Sequence, residues 1–264
     1  MPVPERTLDA SRIVAAILGL ALLAQPAAAR PLDQIKESGT MALCAHPNAL
    51  PFSAKDGDRH GFQVELAEAL AKALGVTLET NWVITGFDRN RTDCDLVIDA
   101  IADAEAQAES RLGLSKPYRR SGVVLAVRAD NATIASLADL NAAGKIGILP
   151  GSFAAMVLGK RGVHTSPAPF EDELLGEVAS GELAGAAVTP TAVGYYNLRH
   201  ADKPMKPLDL FAAEPDLTWN VAIGMVKADQ AFTAAIDAAL DKLVADGTIK
   251  TIYARYGIEL LPPR

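Results

Sequence analysis

Apolar positions fall into two kinds of run along this chain. The first kind is short and unbroken: Met41-Ala-Leu-Cys-Ala45, Asp95-Leu-Val-Ile-Asp99, Gly122-Val-Val-Leu-Ala-Val127, Lys145-Ile-Gly-Ile-Leu149, 184–188 and 219–226. Runs rich in Val, Ile and Leu without polar alternation predict strands buried on both faces. Residues 76–83 predict one more strand. The second kind recurs at helical spacing. Phe62, Leu66, Leu70 and Leu74 lie four apart, and Gly75 closes that helix. Phe232, Ile236, Leu240 and Leu243 mark another over 229–246, with a further terminal helix over 248–256. Shorter helices are predicted over 32–38, 136–142, 154–160, 170–180 and from Pro190 through Tyr196.

Strands therefore alternate with helices twice over. The pattern predicts an α/β chain of two doubly wound lobes joined by a two-strand hinge. The run 122–129 is long enough to leave one lobe and enter the other, and 219–226 returns. The expected division is 31–127 plus 219–264 for lobe 1 and 128–218 for lobe 2. Two crossings make a hinge and leave a cleft between the lobes.

The N-terminal stretch follows a different logic. Arg6 and Arg12 precede an apolar run from Ile13 to Leu23, and Ala27-Ala-Ala29 ends the segment with small residues. This is the pattern of a secretory signal peptide over 1–29, and the apolar run is too short for a membrane span. A mature chain starting at Arg30, exported to the periplasm and not membrane-spanning after processing, is the expectation. The formal net charge is −7, and the removed segment's Glu5 and Asp9 cancel Arg6 and Arg12. An acidic chain excludes nucleic acid as a partner, because phosphate binding needs a basic surface. It suits a cationic protein partner.

The candidate chemistry is sparse. Cys44 and Cys94 are the only cysteines. In an exported chain they read as one disulfide or as two small buried thiols. Neither has a His or a second Cys at ligand spacing, so no metal is expected. Doubly wound sheets bind ligands at the carboxyl ends of their strands. On that rule the cleft is expected to be lined by Asn48 and Phe52 from the loop after the first strand, Asp99, Tyr118 of Ser115-Lys-Pro-Tyr118, Ser152, Phe153 and Thr189. The polar, Ala-rich segment after Asp99 leaves such a strand end as well. Pro150-Gly-Ser-Phe153 joins a strand to a helix, which reads either as an anion site on free N–H groups or as an ordinary Ser cap. No Ser-His-Asp order, HExxH or CxxC is present, and Asp103, Glu105 and Glu109 lie in a polar segment where carboxylates are usually solvated. An enzyme is not predicted.

Several of these stretches together resemble the periplasmic solute-binding proteins of family 3, the amino-acid-binding kind. They are Gly61-Phe-x-Val-Glu-Leu-Ala-x-Ala-Leu-Ala-Lys72, Ser115-Lys-Pro-Tyr118 with the strand after it, and Ala239-Leu-Asp-Lys-Leu-x-Ala-Asp-Gly-Thr-Ile249. The resemblance covers nearly the whole mature chain and implies the type II periplasmic binding protein fold. Cys44-Ala-His-Pro-Asn-Ala-Leu-Pro-Phe-Ser53 is similar to a signature of the subgroup associated with quinoprotein methanol dehydrogenases. Gly86-Phe-Asp-Arg-Asn90 before Cys94-Asp95, Tyr118-Arg-Arg-Ser121 and Tyr256-Gly257 are similar to it too. His46 stands where that subgroup usually has Asp, and the connection from Arg89 to Cys94 is shorter. Amino-acid binders of the family place an Arg and an Asp where this chain has Ala108 and Thr189, so the partners of a zwitterion's two charges are missing. The resemblance implies an accessory protein to a quinoprotein dehydrogenase or its cytochrome c. The alternative is the binding component of an ABC importer, with a permease as partner and a small polar or anionic solute as ligand. No cofactor is implied for this chain; pyrroloquinoline quinone would belong to the partner.

Overall fold

A computed structural model describes residues 30–84, 92–103, 112–226 and 228–264. The signal segment, the Gly86–Asn90 stretch, and the positions of Glu105, Ala108, Glu109 and Arg111 lie outside the described residues. The first lobe opens with α1 (Leu32–Ser38), β1 (Thr40–Ala45) and the small hairpin of β2 (Asn48–Ala49) and β3 (Ser53–Ala54). It continues with α2 (Phe62–Leu74), β4 (Thr77–Trp82), β5 (Leu96–Ile101), β6 (Leu112–Leu114) and β7 (Arg119–Gly122). The second lobe contains β8 (Val124–Arg128), α3 (Leu140–Ala143), β9 (Ile146–Ile148), α4 (Phe153–Lys160) and β10 (Thr165–Pro167). Next come α5 (Glu171–Ser180), β11 (Gly185–Val188), α6 (Pro190–Arg199) and β12 (Met205–Leu208). The chain then returns through β13 (Thr218–Val226) to α7 (Gln230–Ala245) and α8 (Thr248–Ala254).

The two sheets repeat one plan. The first runs β4-β1-β5-β13-β6, with β7 also on β13, and the second runs β10-β9-β11-β8-β12. In each, three parallel strands are followed by an antiparallel strand that arrives from the other lobe: β13 beside β5, and β8 beside β11. The expected boundary between 127 and 128 is corrected here. Val124–Arg128 pairs with β11 and β12, so the chain has already changed sheets at Val123. The run 122–127 gave no sign of this, because an apolar run looks the same in either sheet. At the crossing, Thr218 faces Gly122, and Val123 N–H donates to Leu217 O at 2.8 Å. A Cβ on Gly122 would stand 2.5 Å from Leu217 O, so only glycine lets the two crossing strands lie side by side.

Helical spacing buries one face of α2 against α7 and α8. Phe62, Leu66 and Leu70 share a core with Phe232, Ile236, Leu240, Ile249 and Tyr253. The second sheet is covered on both faces. Leu125 and Val127 look to the α4 side with Leu158 and Phe211, while Ala126 looks to the α5 and α6 side with Leu174, Val178 and Val193. Successive strand residues point to opposite faces, so double coverage is what makes β8 apolar at each step from Val124 to Val127. The lobes also touch away from the crossing strands. A Cβ on Gly194 of α6 would stand 2.2 Å from Gly257 O, and one on Gly257 would stand 2.5 Å from Gly194 O. No described helix is long and apolar enough to cross a membrane.

Cys44 and Cys94 form a disulfide with Cα atoms 5.5 Å apart, joining the end of β1 to the approach to β5. Beside it, buried Asp95 accepts Arg30 Nε at 3.0 Å and Ala42 N–H at 2.7 Å. The bridge closes a sequence separation of 50. Replacing both cysteines by Ser should lower unfolding free energy by about 2–4 kcal/mol through the freed unfolded chain. Urea titration of the two proteins measures it, and equal midpoints would show that the bridge contributes nothing.

Candidate functional site

A cavity of about 320 Å³ opens on the second-lobe side of the crossing strands. Strand ends build it. Leu149, Gly151, Ser152, Phe153 and Ala154 follow β9; Ala187, Val188 and Thr189 end β11; Glu171 follows β10; Val123 and Trp219 come from the crossings. Its walls are mainly apolar. Glu171 is the one ionisable side chain among the described lining residues.

Local hydrogen bonds explain how these side chains are held. Ser152 caps α4: its hydroxyl accepts Ala155 N–H at 3.1 Å and donates to Leu149 O at 2.8 Å. Thr189 caps α6 by accepting Ala192 N–H at 3.2 Å, with Pro190 at the first helical position. Thr189 also donates twice to Glu171, from its N–H to Oε1 at 2.5 Å and from its hydroxyl to Oε2 at 3.0 Å. Burial pushes the Glu171 carboxyl up from its ordinary range, and the two Thr189 bonds oppose that rise.

Of the seven residues expected to line a single cleft, the structure brings three together: Ser152, Phe153 and Thr189. The other four stand elsewhere. Asn48 is exposed in the β2–β3 hairpin, and its N–H donates to His46 Nδ1 at 3.0 Å. Phe52 is half-buried, 5.3 Å from the Phe62 ring, and belongs to the first-lobe core. Asp99 lies within β5 rather than at its end, Tyr118 lies in the connection between β6 and β7, and other side chains occupy both. Arg119 grips Asp99 through Nε at 3.2 Å and Nη2 at 2.9 Å. The Tyr118 hydroxyl donates to Asp99 Oδ1 at 2.5 Å and the Tyr253 hydroxyl to the same oxygen at 3.2 Å. The side chains of Arg119 and Asp99 are only 5% and 8% exposed. Burial and the Asp99 charge push both tyrosines up, so both remain neutral donors. This network commits the Asp99 carboxylate to the fold.

Sequence reasoning missed Glu171, Trp219, Val123 and Leu149. Glu171 lies in an acidic helix start, Glu171-Asp-Glu173, where carboxylates are favoured by the helix dipole alone. Trp219 opens an apolar run that predicts only a strand, and nothing local marks its ring as facing a cavity.

The two-lobed fold and this cavity define a solute-binding protein. Residues 41–259 match the family described as bacterial extracellular solute-binding proteins, family 3, and the chain belongs to that family. Protein MoxJ of Methylorubrum extorquens strain AM1 is 27% identical across 95% of this chain and 94% of its own length. The probable amino-acid-binding protein YxeM of Bacillus subtilis strain 168 is 25% identical, covering 84% of this chain and 85% of its own. The solved periplasmic binding protein XoxJ from Methylobacterium extorquens AM1 aligns with a TM-score of 0.66 and 26% identity, over 84% of this chain and 99% of that one. The relatives thus include MoxJ and XoxJ as well as a protein described as a probable amino-acid-binding protein.

Two outcomes follow from the site. Arg119→Met should lower stability by about 3–5 kcal/mol, because it leaves the Asp99 charge buried without its partner. Guanidinium unfolding reads this, and a loss below about 1 kcal/mol would mean the pair is not buried as described. The second concerns pH. A carboxyl raised in the fold contributes most below its unfolded value near about 4.3, and that contribution is lost as pH rises through the raised one. Glu171→Gln should therefore gain in Tm relative to the parent between pH 4 and pH 7. A Tm difference that stays flat or falls over that range contradicts the assignment.

Proposed function

We propose that this chain, exported to the periplasm after loss of 1–29, is an accessory protein of a quinoprotein methanol or alcohol dehydrogenase system. It acts by binding rather than by catalysis, through contact with the dehydrogenase or its cytochrome c. The observation that carries this reading is the Cys44–Ser53 segment. In it the signature residues form one self-bonded unit anchored by the disulfide. Ser53 donates to His46 O at 2.8 Å and accepts His46 N–H at 3.1 Å. Phe52 N–H donates to Ala49 O at 2.8 Å. The near full-length match to MoxJ supports the same reading. So does Thr189, where the resemblance implies the Asp that holds an amino acid's ammonium in the family's amino-acid binders; its own polar groups are spent on Glu171 and Ala192.

The second reading is the binding component of an ABC importer for a small solute, with cleft closure presenting a surface to the permease. Its support is the cavity and the similarity to YxeM.

The deciding experiment is co-purification from the native periplasm. The accessory reading expects a quinoprotein dehydrogenase to be retained at low salt and released as salt rises, if the −7 charge steers the contact. Retention that ignores salt removes the electrostatic part. Absence of any dehydrogenase removes the role itself.

A further inference from the structure

Glu171 is the charged group of the cavity wall, and the hydrogen bonds that hold its two oxygens both come from Thr189. A carboxylate in a mainly apolar wall is costly unless paired or hydrogen-bonded. Thr189 supplies two donors, one to each oxygen. A carboxylate accepts about four, and no cationic side chain is among the described lining residues of the cavity. Around it stand Leu149, Val188 and Val123 as aliphatic surface, with Trp219 and Phe153 as rings. Aromatic faces attract cations as well as apolar bodies. The complement of such a cavity is a cation on an apolar stem. Among the described lining residues a second negative group on that ligand would find no cationic partner, and Ser152 has spent its hydroxyl on Leu149 O and Ala155 N–H.

We propose that this cavity binds a small apolar or aromatic primary amine, with Glu171 taking the ammonium and Trp219 and Phe153 flanking the body. Glu171 then sets specificity, admitting amines and discriminating against amino acids of the same side chain. The inference rests on the cavity and not on the accessory role, so either can fail alone.

The test uses the isolated protein at pH 7 and three probes sharing one ring: 2-phenylethylamine, 2-phenylethanol and L-phenylalanine. Thermal shift and calorimetry should show binding of the amine, with the alcohol and the amino acid each at least about tenfold weaker, the scale of one lost charge-assisted hydrogen bond. Glu171→Gln should remove that preference, leaving amine and alcohol within about twofold. Phe153→Ala, at a ring 48% exposed and so with little effect on folding, should weaken the amine several-fold. No binding of the amine by the parent protein overturns the proposal. Equal binding of amine and alcohol overturns it too, as does an undiminished preference in Glu171→Gln. The three-probe comparison on the parent decides the matter even if Glu171→Gln does not fold.

Discussion

The buried pair of Asp99 and Arg119 holds together parts of the first lobe that the chain itself keeps far apart. Asp99 has a φ of 63°, a left-handed conformation that a non-glycine residue adopts only under constraint. It lies where the pairing of β5 with β13 shifts register between Ala222 and Gly224. The two-pronged grip of Arg119 and the two tyrosine hydroxyls offset the cost of burying the charge. The guanidinium also lies 5.2 Å from the Tyr253 ring centre and 6.0 Å from that of Phe62. One cluster thus connects β5, β7, α2 and α8. Since β7 leads directly into the crossing at Val123, this cluster also fixes where the second lobe starts.

That arrangement divides labour between the lobes. The first lobe uses the Asp99 carboxylate, inside β5, to hold itself together. The second lobe keeps a carboxylate facing the cavity, on the helix after β10. A relative that places its ligand charges differently can share every strand of this fold, which is why similarity to both MoxJ and YxeM is compatible with one backbone.

How much was legible in the chain follows from what each residue's signal depends on. The strands β1, β5, β9, β11 and β13 were readable because burial on both faces makes a run apolar. The strands β10 (Thr-Ser-Pro) and β12 (Met-Lys-Pro-Leu) were not, because they lie at sheet edges, where polar residues and proline are tolerated. β7 begins with two arginines, and only the position of Asp99, twenty residues earlier in the chain, makes Arg119 a buried residue. Ser152 and Thr189 were found because a strand end followed by a cap is a local pattern. Asp99 and Tyr118 matched an equally good pattern, and their partners lie far away in sequence or around a turn. Glu171 failed the other way: nothing local separates an acid that stabilises a helix start from one that looks into a cavity.

The contact between Gly194 and Gly257 has a mechanical consequence. The crossing strands tie the lobes at one place, and the two glycine backbones bear on each other at a second. Tyr195 of α6 packs in the first-lobe core beside that contact, its ring 6.3 Å from that of Tyr256, so the second support is a patch rather than a point. Sliding one lobe over the other at this patch would pull Tyr195 out of its packing. A side chain at either glycine would act as a wedge in the bearing and set the angle at which the lobes rest.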